Sequence, residues 1–154
     1  MNQPISFTEL RPTLGMGTQS LLALIASHRA TREGTALASA ARTSTTISST
    51  ITNHDSVGIL VFLRITVASG TGGLRPFLLC RHPTSGGLQN AHSNLTTRTT
   101  ATIFLYTFHP AITSLAWNVN HDGAAVVVPR QFAIQVEHLD ASSYTYSVDY
   151  CLLP

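Results

Sequence analysis

At 154 residues the chain is one ordinary domain with a single core. Apolar residues make up 44% of it and charged residues only 10%, against roughly 25% in an average soluble chain, so the 15 Ser and 21 Thr must supply much of the polar surface. The net charge of +2, carried by nine Arg and no Lys scattered from Arg11 to Arg130, excludes the basic footprint of a nucleic-acid binder, and no apolar run approaches the roughly 18 residues of a membrane span.

Arg without Lys has two readings: a coding bias with no physical content, or interface chemistry, because Arg is enriched at protein interfaces and Lys depleted. The N-terminus lacks a basic segment followed by an apolar one, so no secretory signal is expected and synthesis in a cytoplasm is. Gln19–Arg32 spaces Leu21, Leu22, Leu24, Ile25 and His28 by mixed threes and fours after the Gly15-Met16-Gly17 breaker, which admits one short helix. Around it Pro4, Pro12 and Gly34 interrupt any period. Residues 1–42 therefore read as an extended N-terminal arm, of the kind a neighbouring subunit can order.

From Thr43 to Pro154 the pattern is strand after strand, broken by Gly, Pro, Asn and Asp clusters. Thr45–Thr52 is a Ser/Thr/Ile run. Val57–Val67 puts Val57, Ile59, Val61, Leu63, Ile65 and Val67 on one face, which reads as core; the other face passes from Leu60 and Phe62 to Arg64 and Thr66, as a central strand would. Ser69-Gly70-Thr71-Gly72-Gly73 turns the chain, and a hairpin into Leu74–Cys80 is expected. Thr100–Phe108, Ala124–Val128, Phe132–His138 and Tyr144–Leu152 follow, the last with Tyr144, Tyr146, Val148, Tyr150 and Leu152 on one face. The expected fold is an all-β antiparallel sandwich, jelly-roll-like, of seven or eight strands.

Candidate chemistry is sparse. Ser147, His138 and Asp149 fall on neighbouring C-terminal strands and are the right types for a nucleophile, its base and an orienting acid, but the sequence has no nucleophile elbow and no paired-carboxylate pattern, so no catalytic residue is assigned. Cys80 and His82 share a face of an extended segment, as two metal ligands would, yet none of the other His residues makes a second pair at structural-zinc spacing, and His54-Asp55 and His121-Asp122 read as turns; neither a metal nor a cofactor is expected. Two cysteines without CxxC spacing, Cys80 and Cys151, read as buried small apolar residues. Asn94-Leu95-Thr96 has the form of a glycosylation sequon without further support, and Trp117 reads as a core plug ahead of an exposed contact.

Several stretches, together spanning roughly residues 37–154, resemble a family of small proteins encoded among the structural genes of tailed bacteriophages. They are Leu37-Ala38-Ser39-Ala40-Ala41-Arg42-Thr43, Gly58-Ile59-Leu60-Val61-Phe62-Leu63 with Ser69-Gly70-Thr71-Gly72-Gly73-Leu74, Pro129-Arg130, and Asp140-Ala141-Ser142-Ser143-Tyr144-Thr145-Tyr146-Ser147-Val148. The chain departs from the family at Cys80-Arg81-His82-Pro83, where relatives carry a Gly-Lys-Asp-Pro-like turn, at His109-Pro110 in place of an aromatic-Pro pair, at Phe132 in place of Trp, and at Asp149-Tyr150-Cys151. The resemblance implies a non-enzymatic virion structural protein, with capsid decoration on the outside of the head shell as its job. Its partners would then be the major capsid protein and further copies of itself, a trimer being the natural homo-oligomer at threefold positions, with neither nucleic acid nor membrane involved. The alternative is a tail- or fibre-associated module that binds a receptor or glycan through exposed rings such as Tyr144, Tyr146, Tyr150 or Trp117.

Overall fold

The computed structural model describes residues 32–92, 95–112 and 116–154, with the side chains of 116–118 excepted. Apart from Arg32, the helix expected over Gln19–Arg32 lies outside the described residues, as does most of the arm. The described chain holds strands only, eleven of them: β1 (Arg32–Arg42), β2 (Thr46–Ile47), β3 (Ile51–Thr52), β4 (Gly58–Ala68), β5 (Leu74–Arg81), β6 (Leu88–Asn90), β7 (Ile103–Phe108), β8 (Ala116–Asn118), β9 (His121–Ala124), β10 (Gln131–His138) and β11 (Tyr144–Leu153). They form two sheets. The larger runs β1-β11-β4-β7-β9-β8, and the smaller runs β2-β10-β5-β6 with β3 also on β10. Every pairing is antiparallel except β7 with β9, so the fold is the expected all-β sandwich with one parallel pair.

The two long strands of the larger sheet are the ones with the clearest alternation. Ile59, Val61, Leu63 and Ile65 of β4 and Tyr144, Tyr146, Val148 and Leu152 of β11 point inward and meet Leu74 and Leu78 of β5 and Phe132, Ile134 and Val136 of β10 in one continuous core. Phe132 is wholly buried there, and truncating it to Ala is expected to cost about 3–5 kcal/mol. Val57 and Val67, read as core, lie beyond this stack at the strand ends and are exposed. Pro76 fits mid-strand because its missing N–H faces the β6 side of β5, between the points where Leu74 bonds Arg98 and Leu78 bonds Ala91, where no ladder bond is required.

Four expectations are corrected. The turn at Ser69–Gly73 does not close a hairpin: β4 pairs with β11 and β7, and β5 with β10 and β6, so the turn carries the chain from one sheet to the other. Ala124–Val128 is not a strand; the strand is β9, which contains the His121-Asp122 pair expected in a turn. Cys80 and Cys151 are half-buried free thiols instead of core residues, Cys80 because it sits at the end of β5 and Cys151 because it lies on the outer face of the larger sheet. The sandwich also includes Arg32–Arg42, read in sequence as part of the arm, since β1 is rich in small residues, Gly34, Ala36, Ala38, Ala40 and Ala41, and lacks the bulky alternation that marks a strand.

Sheet edges are short or blunted. β2 and β3 are two fragments of one edge along β10, and between them Ser48 completes the ladder with its side chain: Ser48 N–H donates to Ile134 O at 2.9 Å and Ile134 N–H donates to Ser48 Oγ at 3.0 Å. Among the described residues the one long edge, β1, is interrupted by two register shifts, between Thr35 and Leu37 and between Leu37 and Ala40. Arg42 folds back there, donating to the carbonyls of Ala38, Ala40 and Tyr146 at 2.7, 3.2 and 2.9 Å. Bulges and a charged side chain on an edge oppose edge-to-edge pairing with other chains.

Candidate functional site

Ser147, His138 and Asp149 are not brought together. Ser147 and Asp149 alternate with core residues on β11 and so point to the outer face of the larger sheet. His138 lies on β10 of the smaller sheet and faces inward, its ring centroid 5.5 Å from that of Tyr144 and 5.7 Å from that of Tyr146. Cys80 and His82 are each engaged locally: Cys80 Sγ donates to Gln89 O, and His82 Nδ1 accepts the N–H groups of Thr84 and Ser85 across a turn. Among the described residues no group of three or more His, Cys, Asp or Glu is placed to hold a metal. Tyr144 and Tyr146 are fully buried, Tyr150 half-buried, and the side chains of Asn94 and Trp117 lie outside the described residues.

One corner of the sandwich concentrates polar contacts. Asp140, just past β10, accepts Gly72 N–H at 2.6 Å and Ser142 N–H at 3.0 Å, while the Tyr144 hydroxyl accepts Gly73 N–H at 2.8 Å and donates to Asp140 at 3.3 Å. Gly73 has φ +86, a conformation that L side chains avoid, so the glycine-rich turn can present two successive N–H groups to this pair. Those bonds, the one from Gly72 foremost, hold the Asp140 carboxyl below its ordinary range. On the core side of the corner, His138 Nε2 lies 3.3 Å from the Tyr146 hydroxyl, and the Arg42 guanidinium covers the Tyr146 ring at 4.6 Å.

A second polar cluster is buried between the sheets' flank and the loop after β6. Arg98, almost fully buried, donates to the Tyr106 hydroxyl at 3.2 Å and to Val119 O at 2.7 Å and lies 3.9 Å from Asp122, itself buried and accepting Thr96 N–H at 2.8 Å. Sequence reading missed this cluster. Arg98 sits in a Thr-rich stretch with no strand pattern, and only its isolation among Thr residues hints that it does something other than coat the surface.

The face with the character of a contact surface is the outer side of the larger sheet. Reading across the strands, one row is Thr35, Asp149, Phe62, Leu105 and His121; the next is Ser147, Arg64 and Ile103. Phe62, Leu60 and Leu105 are half-buried, Ile103 is 53% exposed, and among the described residues no strand packs over them. Toward β1 the face deepens into a groove of about 460 Å³ walled by Glu33, Thr35, Phe62, Asp149, Tyr150 and Cys151. Gly34 makes it possible, because a Cβ there would come within 2.7 Å of the Tyr150 hydroxyl. Asp149 accepts the Thr35 hydroxyl at 2.6 Å, which fixes one carboxylate oxygen, and among the described residues neither Asp149 nor Glu33 has an ion-pair partner. The alternation of Leu60, Phe62 and Arg64 was legible in sequence; the acidic neighbours were not, because they arrive from strands far apart in the chain. The chain matches no family model, no curated protein and no solved structure.

Proposed function

We propose that the chain is a non-enzymatic virion structural protein that binds the outside of a tailed-phage head shell and reinforces it. The reading rests on the stretches that resemble the phage family, and one structural observation supports it. Those stretches, distant in sequence, meet in the fold: Gly70–Leu74 seats in the Asp140–Val148 corner through the Asp140 and Tyr144 bonds, and Arg42 of β1 clasps Tyr146 of the same segment. Residues that co-operate in one corner are what a shared fold would keep together.

The blunted edges suit a subunit that must stay soluble at high copy number before it docks, because free strand edges invite uncontrolled pairing. Reinforcement then comes from contact area repeated over many copies of a symmetric shell. The glycan-binding alternative, a module on a tail or fibre, loses two of its four candidate rings to the core, since Tyr144 and Tyr146 have no exposed surface for stacking on a sugar.

Quantitative mass spectrometry of gradient-purified virions tests the proposal. A copy number in fixed, near-stoichiometric ratio to the major capsid protein is expected. A few copies per particle would move the chain to the tail or fibre, and absence would overturn the virion reading.

A further inference from the structure

We propose that the outer face of the larger sheet binds a second copy of this chain, forming a twofold dimer through Phe62 and Leu105 with two reciprocal ion pairs between Asp149 and Arg64. The inference concerns the purified chain alone and stands or falls without the virion reading.

The face carries its own complement. Phe62 is opposite Asp149 on one side and Leu105 on the other, and Arg64 is the next outward residue along β4. Asp149 and Arg64 thus flank Phe62 on a diagonal, with acid toward β1 and base toward the opposite strand end. In a twofold interface each contact occurs twice in mirror order. An axis lying in the face, oblique to the strands, that bisects the line from Arg64 to Asp149 runs between Phe62 and Leu105 and lays these two side chains close to their own counterparts. The same axis brings Arg64 of one copy onto Asp149 of the second copy, and the reverse pair forms at once.

The groove supplies the seat. Its wall offers the Asp149 and Glu33 carboxylates beside the Phe62 ring, which together suit a guanidinium: the planar fork pairs with carboxylate while its face stacks on an aromatic ring. Arg64 is exposed, and among the described residues it has no ion-pair partner. The half-buried apolar centre with charges at its margin has the arrangement of an interface core and rim. Other partners fit less well, since a basic partner would meet Arg64 and an acidic one would meet Asp149 and Glu33.

The test is sedimentation velocity on the full chain over a wide concentration range. The wild type is expected to dimerise, and Arg64→Asp or Asp149→Arg alone to weaken the dimer by at least about tenfold. The two variants mixed in equal amounts are expected to regain it, because each keeps the charge the other lacks and both ion pairs re-form between unlike copies. Phe62→Ser is expected to dissociate the dimer and not to be rescued by either. Circular dichroism confirms that each variant is folded before its mass is read. A wild type that stays monomeric, which would leave the face to a different protein, overturns the proposal. So do folded charge variants that stay dimeric, or a mixture of the two that stays monomeric.

Discussion

The Arg98 guanidinium and the Tyr106 phenol are joined twice, by a 3.2 Å hydrogen bond from Nε to the hydroxyl and by stacking of the guanidinium 5.7 Å from the ring centroid, while Phe104 takes the same cation at 4.7 Å. The pair pins the loop after β6 to β7, and the two backbone bonds that Arg98 exchanges with Leu74 at 2.8 Å tie the same loop to β5. Asp122 depends on it for a counter-charge in a buried site. Arg98→Met is expected to destabilise the fold by about 3–5 kcal/mol, since it strands a buried carboxylate. Tyr106→Phe, which removes only the hydroxyl, should cost about 1 kcal/mol. Urea denaturation of both variants checks the ranking; equal costs would mean that the charge network contributes nothing beyond the hydroxyl.

Burial pushes the Tyr106 phenol up to about 12, with Arg98 pulling in the opposite direction. Ultraviolet titration of the folded protein should therefore show one tyrosine ionising only near that value, and Arg98→Met, if folded, should move it higher still. A Tyr106→Phe variant that retains the late step would assign the step elsewhere.

At the glycine-rich corner, the Tyr144 hydroxyl is the acceptor for Gly73 N–H and a donor to Asp140. Tyr144→Phe leaves the ring's packing in place and deprives a buried N–H of its partner, at an expected cost of about 1–3 kcal/mol. Amide exchange at Gly73 should accelerate along with the loss of stability. Unchanged protection at Gly73 would count against this account of the turn.

How much of this was legible in the sequence follows from the range of the interactions involved. The alternation of β4, β10 and β11 is local and reads directly from Ile59 to Ile65, Phe132 to His138 and Tyr144 to Leu152. β1 escaped because Leu37 is its one large core residue and register shifts on either side of it break the alternation, and β9 because Asp122 and Gly123 carry no apolar period while their burial is set by Arg98 and Thr107. Whether Ser69–Gly73 closes a hairpin or a crossover is decided by which strands β5 finds, Leu79 against Ala133 and Asn90, and those partners lie elsewhere in the chain. The outer face is half legible for the same reason. Phe62 and Arg64 announce themselves by spacing, whereas Asp149 and Glu33 join them only through pairings between strands far apart in the chain.

Two histidines make stability pH-dependent. His138 is packed between Tyr144 and Tyr146, with Asp140 and Arg42 as the charged groups around it and the Ser142 backbone beside its ring. Burial, the main cause, lowers its pKa below the ordinary 6.5, Asp140 opposing and Arg42 reinforcing. His92 is lowered by burial against the pull of Asp122. A lowered histidine binds its proton more weakly folded than unfolded, so the stability present above pH 6.5 declines as pH falls through the folded value. Asp140, lowered from 3.8, adds a second decline of the same sign below that value. Denaturation across this range should show both steps, and His138→Gln should flatten the first while leaving the second. A first step of unchanged slope in that variant would assign it to His92.

Cys151 offers a chemical readout of the proposed contact face. Its thiol is half-buried on the groove wall, and burial first, then the nearby Glu33 charge, raise its pKa above 9.0. Because the thiolate is the reacting species, timed alkylation near neutral pH followed by peptide mapping should find Cys151 slower than free cysteine. Glu33→Gln removes the neighbouring charge and should speed the reaction by a few-fold. Dilution should do the same if two copies cover the groove, since Cys151 lies one row from Phe62 on the same face. A rate that responds to Glu33→Gln but not to dilution keeps the electrostatics of the groove and removes the second copy from it.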